Sequence, residues 1–259
     1  MPPFDLAAYQ RLRTSRHLGA VVHHRERTDS TMDDARTGAD ASGASGCGDA
    51  YVAGEQTRGR GRQGRTWVSA SAAGLYVTYH LCPRVAEHAP LIGIAGALAV
   101  ADAVSVTSGL ATELKWPNDV LCGGRKLAGL LAEARHGDRL DVFLGIGINV
   151  RSAAELPREV AEIATSIEGA GAPPPSLEAL LAALSVALET RIEQGEEDPP
   201  ALVAEWRSRL VTIGQRVRLA APSGVIEGDA VDVTARGELL LRLADGSTVA
   251  HAAGDVTTL

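Results

Sequence analysis

The stretch Gly59-Arg60-Gly61-Arg62-Gln63-Gly64-Arg65-Thr66-Trp67 is compatible with two folds. Taken literally, residues 59–64 match G-x-G-x-x-G, the turn that holds a dinucleotide at the end of a parallel βαβ unit. That unit needs a helix after the third glycine and an acidic residue about twenty positions on. Here residues 65–74 make a poor helix, and Arg84 stands where the acid belongs. The dinucleotide reading fails on its context. What remains is a loop whose glycines allow close approach to a ligand. Its arginines offer planar cationic forks to phosphate or carboxylate oxygens. Such a loop is expected to be mobile when empty and to order around an anion. Taken alone, the segment fits a solvated basic loop or an RGG-like nucleic-acid contact equally well.

Outward from this loop the chain alternates helical and strand patterns. Residues 4–18 pattern as a short amphipathic helix and residues 21–26 as a strand. Thr28, Asp29, Ser30 and Thr31 then offer N-caps for a helix through Asp33, Asp34 and Ala35. The Gly/Ser/Ala/Asp-rich residues 38–49 read as a flexible surface loop. Strands are expected over 51–55, 75–79, 111–116 (stopped by Pro117), 126–134 and 142–150, with a buried helix over 90–107. After prolines 173–175 come helices near 176–194 and 199–210. From Gln215 onward, short β-rich runs are separated by Pro222-Ser223-Gly224, Arg236-Gly237 and Asp245-Gly246, which predicts a small five-stranded barrel. Strands and helices without strict alternation predict an α+β fold, divided into a main domain over 1–211 and a barrel over 212–259.

Composition narrows the function. The 259 residues carry a net charge of −7, which argues against a broad basic face for nucleic acid. Nine aromatic residues are too few for base-stacking platforms. Cys47, Cys82 and Cys122 are odd in number and form no C-x-x-C pair, so neither a zinc site nor a disulfide framework is expected, and a reducing, cytoplasmic compartment fits. The N-terminus lacks a basic cluster followed by an apolar run, so no signal peptide is read there. The apolar region 91–106 is interrupted by Gly93, Gly96, Asp102 and Ser105 and falls short of the ~20 residues of a membrane span.

Three further segments carry chemistry. Lys115-Trp116-Pro117-Asn118-Asp119 ends a strand in a turn, where Asp119 and Asn118 can sit near a metal–phosphate group. Gly123-Gly124-Arg125-Lys126-Leu127-Ala128-Gly129 delivers Lys126 from a glycine hairpin to the start of a buried strand, as either a cleft lysine or a snorkelling surface residue. Gly145-Ile146-Gly147-Ile148-Asn149 is a strand with two glycines, suited to close backbone approach, and its terminal amide can read a nucleobase edge.

Together, in this order and at about these separations, the four segments resemble the biotin–protein ligase family, which shows GRGRxGRxW, KWPND, KLAG and GxGxN. The resemblance covers nearly the whole chain. It implies a catalytic domain related to class II aminoacyl-tRNA synthetases, with a mixed or antiparallel sheet, followed by an SH3-like barrel. It also implies ATP and biotin as substrates, Mg2+ as the metal, biotinyl-5'-AMP as the intermediate, and a biotin carboxyl carrier domain of an acyl-CoA carboxylase as the acceptor. Position by position, Ser30, Thr31 and Gln56 match biotin-binding positions. Gly59, Arg60, Gly61 and Arg62 match the loop that folds over biotin and phosphate. Lys126, with Gly129 behind it, matches the lysine that contacts the biotin carboxylate and α-phosphate. Trp67 and Asn149 match groups around the adenine, while Asn118 as a nucleotide contact and Asp119 as the metal ligand follow from the turn at 115–119. Met32 stands where the family usually has asparagine. Lys126, Arg60 and Arg62 are the expected catalytic cations. A lipoate–protein ligase and an RNA-binding protein using the loop and barrel are the rival readings. Fewer than thirty residues precede Ser30, so no DNA-binding domain and no specific DNA binding are expected. A monomer and a homodimer are both compatible with the sequence.

Overall fold

Alternation along the central strands explains the architecture. In strand β3 (Gly74–Leu81), Leu75, Val77, Tyr79 and Leu81 enter the main core, while Thr78 and His80 face the other way. In β7 (Leu140–Asn149), Val142, Leu144, Ile146 and Ile148 enter the same core, and Phe143 joins a second cluster on the opposite face. A strand buried on both faces reads as a nearly continuous apolar run, which is how residues 142–148 read.

The computed structural model describes residues 4–153, 157–221 and 224–259. Seven strands form one sheet: β1 (Val22–Thr28), β2 (Ala50–Gln56), β3, β4 (Glu113–Lys115), β5 (Asp119–Cys122), β6 (Arg125–His136) and β7. Their order is β1-β2-β3-β7-β6-β5-β4. β1 and β2 run parallel, joined by helix α2 (Thr31–Ser42), and every other pair is antiparallel. α2 rests on one face, where Met32, Ala35 and Ala39 meet Tyr51 and Phe143. The opposite face is covered by α3 (Leu91–Ser108) and α5 (Leu177–Glu197), with α6 (Pro199–Ser208) packed on those two helices. α3 is apolar on every side and correspondingly buried. It is long and apolar enough to cross a membrane, but Leu98, Ala99, Val100 and Val104 are wholly enclosed by protein. Gly109, left-handed at φ 73°, ends it with an N–H to the Ser105 carbonyl.

The C-terminal sheet contains β8 (Arg216–Ala221), β9 (Gly224–Val233), β10 (Leu239–Arg242), β11 (Thr248–His251) and β12 (Asp255–Thr258), in the order β11-β10-β9-β8-β12 and antiparallel throughout. Mixed sheet, helices and a separate five-stranded unit form the expected α+β arrangement. The expected turns at Arg236-Gly237 and Asp245-Gly246 are present, whereas Pro222 and Ser223 lie outside the described residues. Trp116, 1% exposed, joins the two parts: its backbone N–H donates to Thr212 Oγ1 (3.0 Å) and its indole N–H to the Gly237 carbonyl (3.0 Å).

Several expectations need correction. The first helix, α1, covers only Leu6–Leu12. Residues 38–42 are helix rather than loop, followed by a 3-10 turn at Gly43–Gly46. β5 and α4 (Arg158–Ile163) were not anticipated. Cys47 and Cys82 form a disulfide, with Cα atoms 5.7 Å apart. Pairing of β2 with β3 brings the ends of distant segments together, a proximity that cysteine spacing along the sequence does not reveal.

Candidate active site

On the α2 side, the ends of β6 and β7 are cleared by glycine. A β-carbon on Gly147 would lie 2.4 Å from Trp67 Cε2, and one on Gly129 would lie 2.8 Å from Trp67 Cζ3. A β-carbon on Gly145 would meet Met32 Sδ at 3.0 Å. Register places Gly129 opposite Gly147, so two bare backbone positions adjoin and the Trp67 indole lies across them. The result is a cavity of ≈ 410 Å³, lined at one end by Thr31 and Gln56 and at the other by Lys126, Asn118 and Asp119.

The closed end is polar and fully connected. Gln56 Oε1 accepts from the Thr31 backbone N–H (2.9 Å) and hydroxyl (3.1 Å), and Gln56 Nε2 donates to Ser69 Oγ (2.7 Å). The Thr31 hydroxyl is also 2.8 Å from that of Thr78. Ser30 is 1% exposed and acts as the N-cap of α2, accepting from the Met32 N–H (3.3 Å). Its hydroxyl therefore sets the start of the helix and does not line the cavity. Met32, where the family usually has asparagine, packs over Gly145 and puts an apolar side chain on the cavity wall.

The open end is cationic. Lys126 Nζ sits 2.6 Å from Asp119 Oδ1 and 5.3 Å from the centre of the Trp67 ring. Arg62 donates to Asn118 Oδ1 (3.2 Å), and Asn118 Nδ2 is tied to the Leu130 carbonyl. Burial lowers the Arg62 guanidinium below its ordinary pKa, while the nearby Asp119 acts in the opposite direction. The loop carrying Arg62 is a narrow hairpin. Gly59 O accepts from the Trp67 N–H (2.9 Å) and the Gly61 N–H donates to Arg65 O (2.8 Å), while Gln63 and Gly64 turn the tip with positive φ (54° and 74°). Gly59 must be glycine, because its β-carbon would lie 2.4 Å from the Trp67 carbonyl oxygen. Arg60 pairs with Asp33 and lies 3.9 Å from Glu133, and Arg65 pairs with Asp255 of β12.

The structure thus brings Thr31, Gln56, Arg60, Gly61, Arg62, Trp67, Asn118, Asp119, Lys126 and Gly129 around one cavity, with Gly59 in the adjoining groove. Asn149 stands apart, its amide nitrogen donating to the Thr165 carbonyl (2.9 Å). Sequence reasoning missed Ser69, Thr78, Asp33, Glu133 and Asp255. Only the tertiary fold brings these to the site, and no local motif marks them.

Two family models match the chain: the biotin/lipoate A/B protein ligase family over residues 25–149 and the biotin protein ligase C-terminal domain over 212–257. A biotin–[acetyl-CoA-carboxylase] ligase of Mycobacterium tuberculosis is 40% identical over 228 residues, covering 85% of this chain and 82% of that one. The chain belongs to the biotin–protein ligase family. It is a ligase of that family, with the fold to match. A bifunctional ligase/repressor of Bacillus subtilis is 32% identical over 206 residues, covering 77% of this chain but only 63% of that one. The solved biotin protein ligase of Aquifex aeolicus, in complex with biotin and ATP, superposes with a TM-score of 0.76 at 26% identity, over 92% of this chain and 98% of that one.

Proposed function

We propose that this ligase activates biotin with ATP to biotinyl-5'-AMP and then transfers biotin to a lysine of a biotin carboxyl carrier domain of an acyl-CoA carboxylase. The observation carrying this reading is the polarity of the cavity. A neutral, internally satisfied hydrogen-bonding pocket at Thr31–Gln56 leads along a glycine-cleared floor to Lys126 and Arg62. That sequence of environments suits a small carboxylic acid with a neutral polar head, lying with its carboxylate beside an anion.

A carboxylate is a poor electrophile because oxide would have to leave. Its oxygen attacks the α-phosphorus of ATP, the bond to pyrophosphate breaks, and a mixed anhydride forms. The acceptor amine then attacks the acyl carbon, AMP leaves, and an amide results once the amine has lost its proton. The first step presses two anions together, so cations fixed near the reacting oxygens lower its barrier. Lys126, Arg60 and Arg62 have this electrostatic role. Lys126 is not a nucleophile, since the lysine that becomes biotinylated belongs to the acceptor. Ser30, Thr31 and Gln56 hold biotin, Ser30 by fixing the start of α2, and Trp67 and Asn118 border the nucleotide. Asn149 contributes by anchoring the end of β7 to Thr165. The 59–67 hairpin acts as a lid that keeps the anhydride from water.

A divalent cation fits the donor set, because Asp119 turns a carboxylate oxygen into the cavity beside Lys126. There Mg2+ would neutralise phosphate charge. We further propose that residues 1–211 form the catalytic unit and 212–259 the barrel that borders it, and that the enzyme works in the cytoplasm. Radiolabelled pyrophosphate exchange into ATP, with biotin, lipoate or no acid, tests the reading. Exchange dependent on biotin alone is the expected result. Lipoate-dependent exchange would rename the substrate, and no exchange from folded protein would remove the adenylating reaction.

A further inference from the structure

At the other end of β3, away from the cavity, a second group of reactive side chains is unexplained by ligase chemistry. The Cys47–Cys82 pair joins the turn that follows α2 to the residue just past β3. Beside it His80 is wholly buried, with Nδ1 3.0 Å from the Gly46 carbonyl oxygen and Nε2 3.0 Å from Asp141 Oδ1. Cys82 Sγ lies 3.7 Å from His80 Nε2 and 3.9 Å from Asp141 Oδ1. Both cysteines are half-buried, so small oxidants reach them.

We propose that Cys47 and Cys82 are a reversible redox-modification site, in which Cys82 is oxidised first by a hydroperoxide and Cys47 resolves it to the disulfide.

The charge around Cys82 supports this order. Asp141 is held by Arg135 Nη2 (2.8 Å) and Arg139 Nε (2.5 Å) as well as by His80. Burial pushes the Asp141 carboxyl up, but these three donors outweigh it and keep the group well below the usual carboxylate range. The Asp141 charge is thus shared among three donors, which offsets its repulsion of a thiolate 3.9 Å away on Cys82, and a His80 ring nitrogen stands 3.7 Å from that sulfur. Cys47 follows the 3-10 turn, and its sulfur lies within 4.8 Å of the His80 ring without a hydrogen bond to it. Cys122, the third thiol, is on β5, where burial raises its pKa and Glu113 adds to the effect.

The chemistry balances without a further reactant. The Cys82 thiolate attacks one oxygen of hydrogen peroxide, the O–O bond breaks, and hydroxide leaves and takes a proton, giving a sulfenic acid and water. The Cys47 thiol then attacks the Cys82 sulfur, the S–O bond breaks, and a second water leaves as the S–S bond forms. Two thiols lose two electrons and the peroxide gains them. A thiol reductant reverses the bond by exchange. The disulfide closes a loop of 35 residues that contains β2 and the 59–67 hairpin. Oxidation therefore constrains the unfolded chain across the segment that supplies much of the cavity.

The test uses the full chain, reduced and freed of reductant. Stoichiometric hydrogen peroxide should remove two of three titratable thiols without forming covalent dimers. The thermal midpoint should rise by roughly 5–10 °C over the reduced protein. In Cys47→Ser, a sulfenic-acid trap should label Cys82 by mass; in Cys82→Ser, Cys47 should stay a thiol under the same exposure. Retention of all three thiols by the parent chain would overturn the site, with no variant required. Equal labelling of the two variants would overturn the order. One tightly held zinc per reduced chain, shielding both thiols from peroxide, would give the cluster to a metal and overturn the proposal as a whole.

Discussion

Two of the arginine clusters among the described residues differ in what carries them. Arg191 on α5 binds Asp102 of α3 (2.7 Å) and Glu205 of α6 (2.6 Å), and Arg209 joins the same two acids (3.2 and 2.6 Å). Helices fix these groups, and Arg191 is only 15% exposed. Arg60, Arg62 and Arg65 also end on acceptors, namely Asp33, Asn118 and Asp255, but their backbone is a glycine hairpin over a cavity. The first cluster is a static clamp between three helices. In the second, weakly held partners can be exchanged for a ligand anion, because surface ion pairs contribute only about 0–1 kcal/mol each. The residue type is the same, and the backbone under it decides which arginines are free to do chemistry.

The comparison breaks most sharply at Lys126, the cation on a strand rather than a loop. Lys126→Ala should lower biotin-dependent pyrophosphate exchange by roughly 10²–10³-fold, the scale of removing one preorganised charge, while leaving the thermal midpoint near that of the parent. Normal exchange by a folded variant would take Lys126 out of the mechanism. Arg62→Gly should act on retention more than on formation. Biotinyl-AMP should leave it about tenfold faster, an effect of about 1.4 kcal/mol, with unspecific biotinylation of bystander proteins. Equal adenylate lifetimes would show that the hairpin does not seal the cavity.

The clamp should respond in the opposite way. Arg191→Gln leaves Asp102 and Glu205 short of a partner and should cost about 1–2 kcal/mol, discounted for their partial exposure, with the Michaelis constants for biotin and ATP unchanged. The pH dependence sharpens this. Burial pushes the Glu205 carboxyl up, but Arg191 and Arg209 outweigh it and leave the group below its ordinary 4.5. A depressed carboxylate stabilises the fold above its unfolded pKa and loses that contribution as pH falls through the folded one. The gap between parent and Arg191→Gln in denaturant melts should therefore be full at pH 7 and shrink below pH ~4.5. A gap independent of pH would mean that packing, not charge, is what Arg191 supplies.

Much of this was legible from local pattern. Residues 75–79 and 142–150 advertise strands, 90–107 a buried helix, and the turns after Gln215 a small β unit, because these signals are carried by neighbours in sequence. Features that depend on distant pairing were not legible. β5 is four residues long and merges with the Gly123-Gly124 turn, so its pattern is too short to read. α4 has no side-chain cap to announce it. The helical stretch 38–42 was hidden by glycine, serine and aspartate, poor helix formers held here by packing of Ala35 and Ala39 on Tyr51 and Phe143. Within the site, the motif cations were readable, whereas Ser69, Thr78 and Asp255 arrive by pairing and docking. Asn149 shows the limit from the other side: a motif position chosen for its side-chain amide is engaged by a backbone carbonyl.

The indole of Trp67 gives the enzyme an optical property of its own. The chain has three tryptophans, and Trp116 and Trp206 are 1% and 2% exposed within the core. Trp116 also borders the cavity, but Trp67 is the indole pressed on bare glycine backbone beneath the Lys126 ammonium, with its buried N–H unmatched by any acceptor. An indole with a free N–H beside a movable charge emits at a wavelength and yield that shift when either changes. Occupancy of the cavity can thus be followed by intrinsic emission without a label, and Trp67→Phe separates the Trp67 signal from those of Trp116 and Trp206.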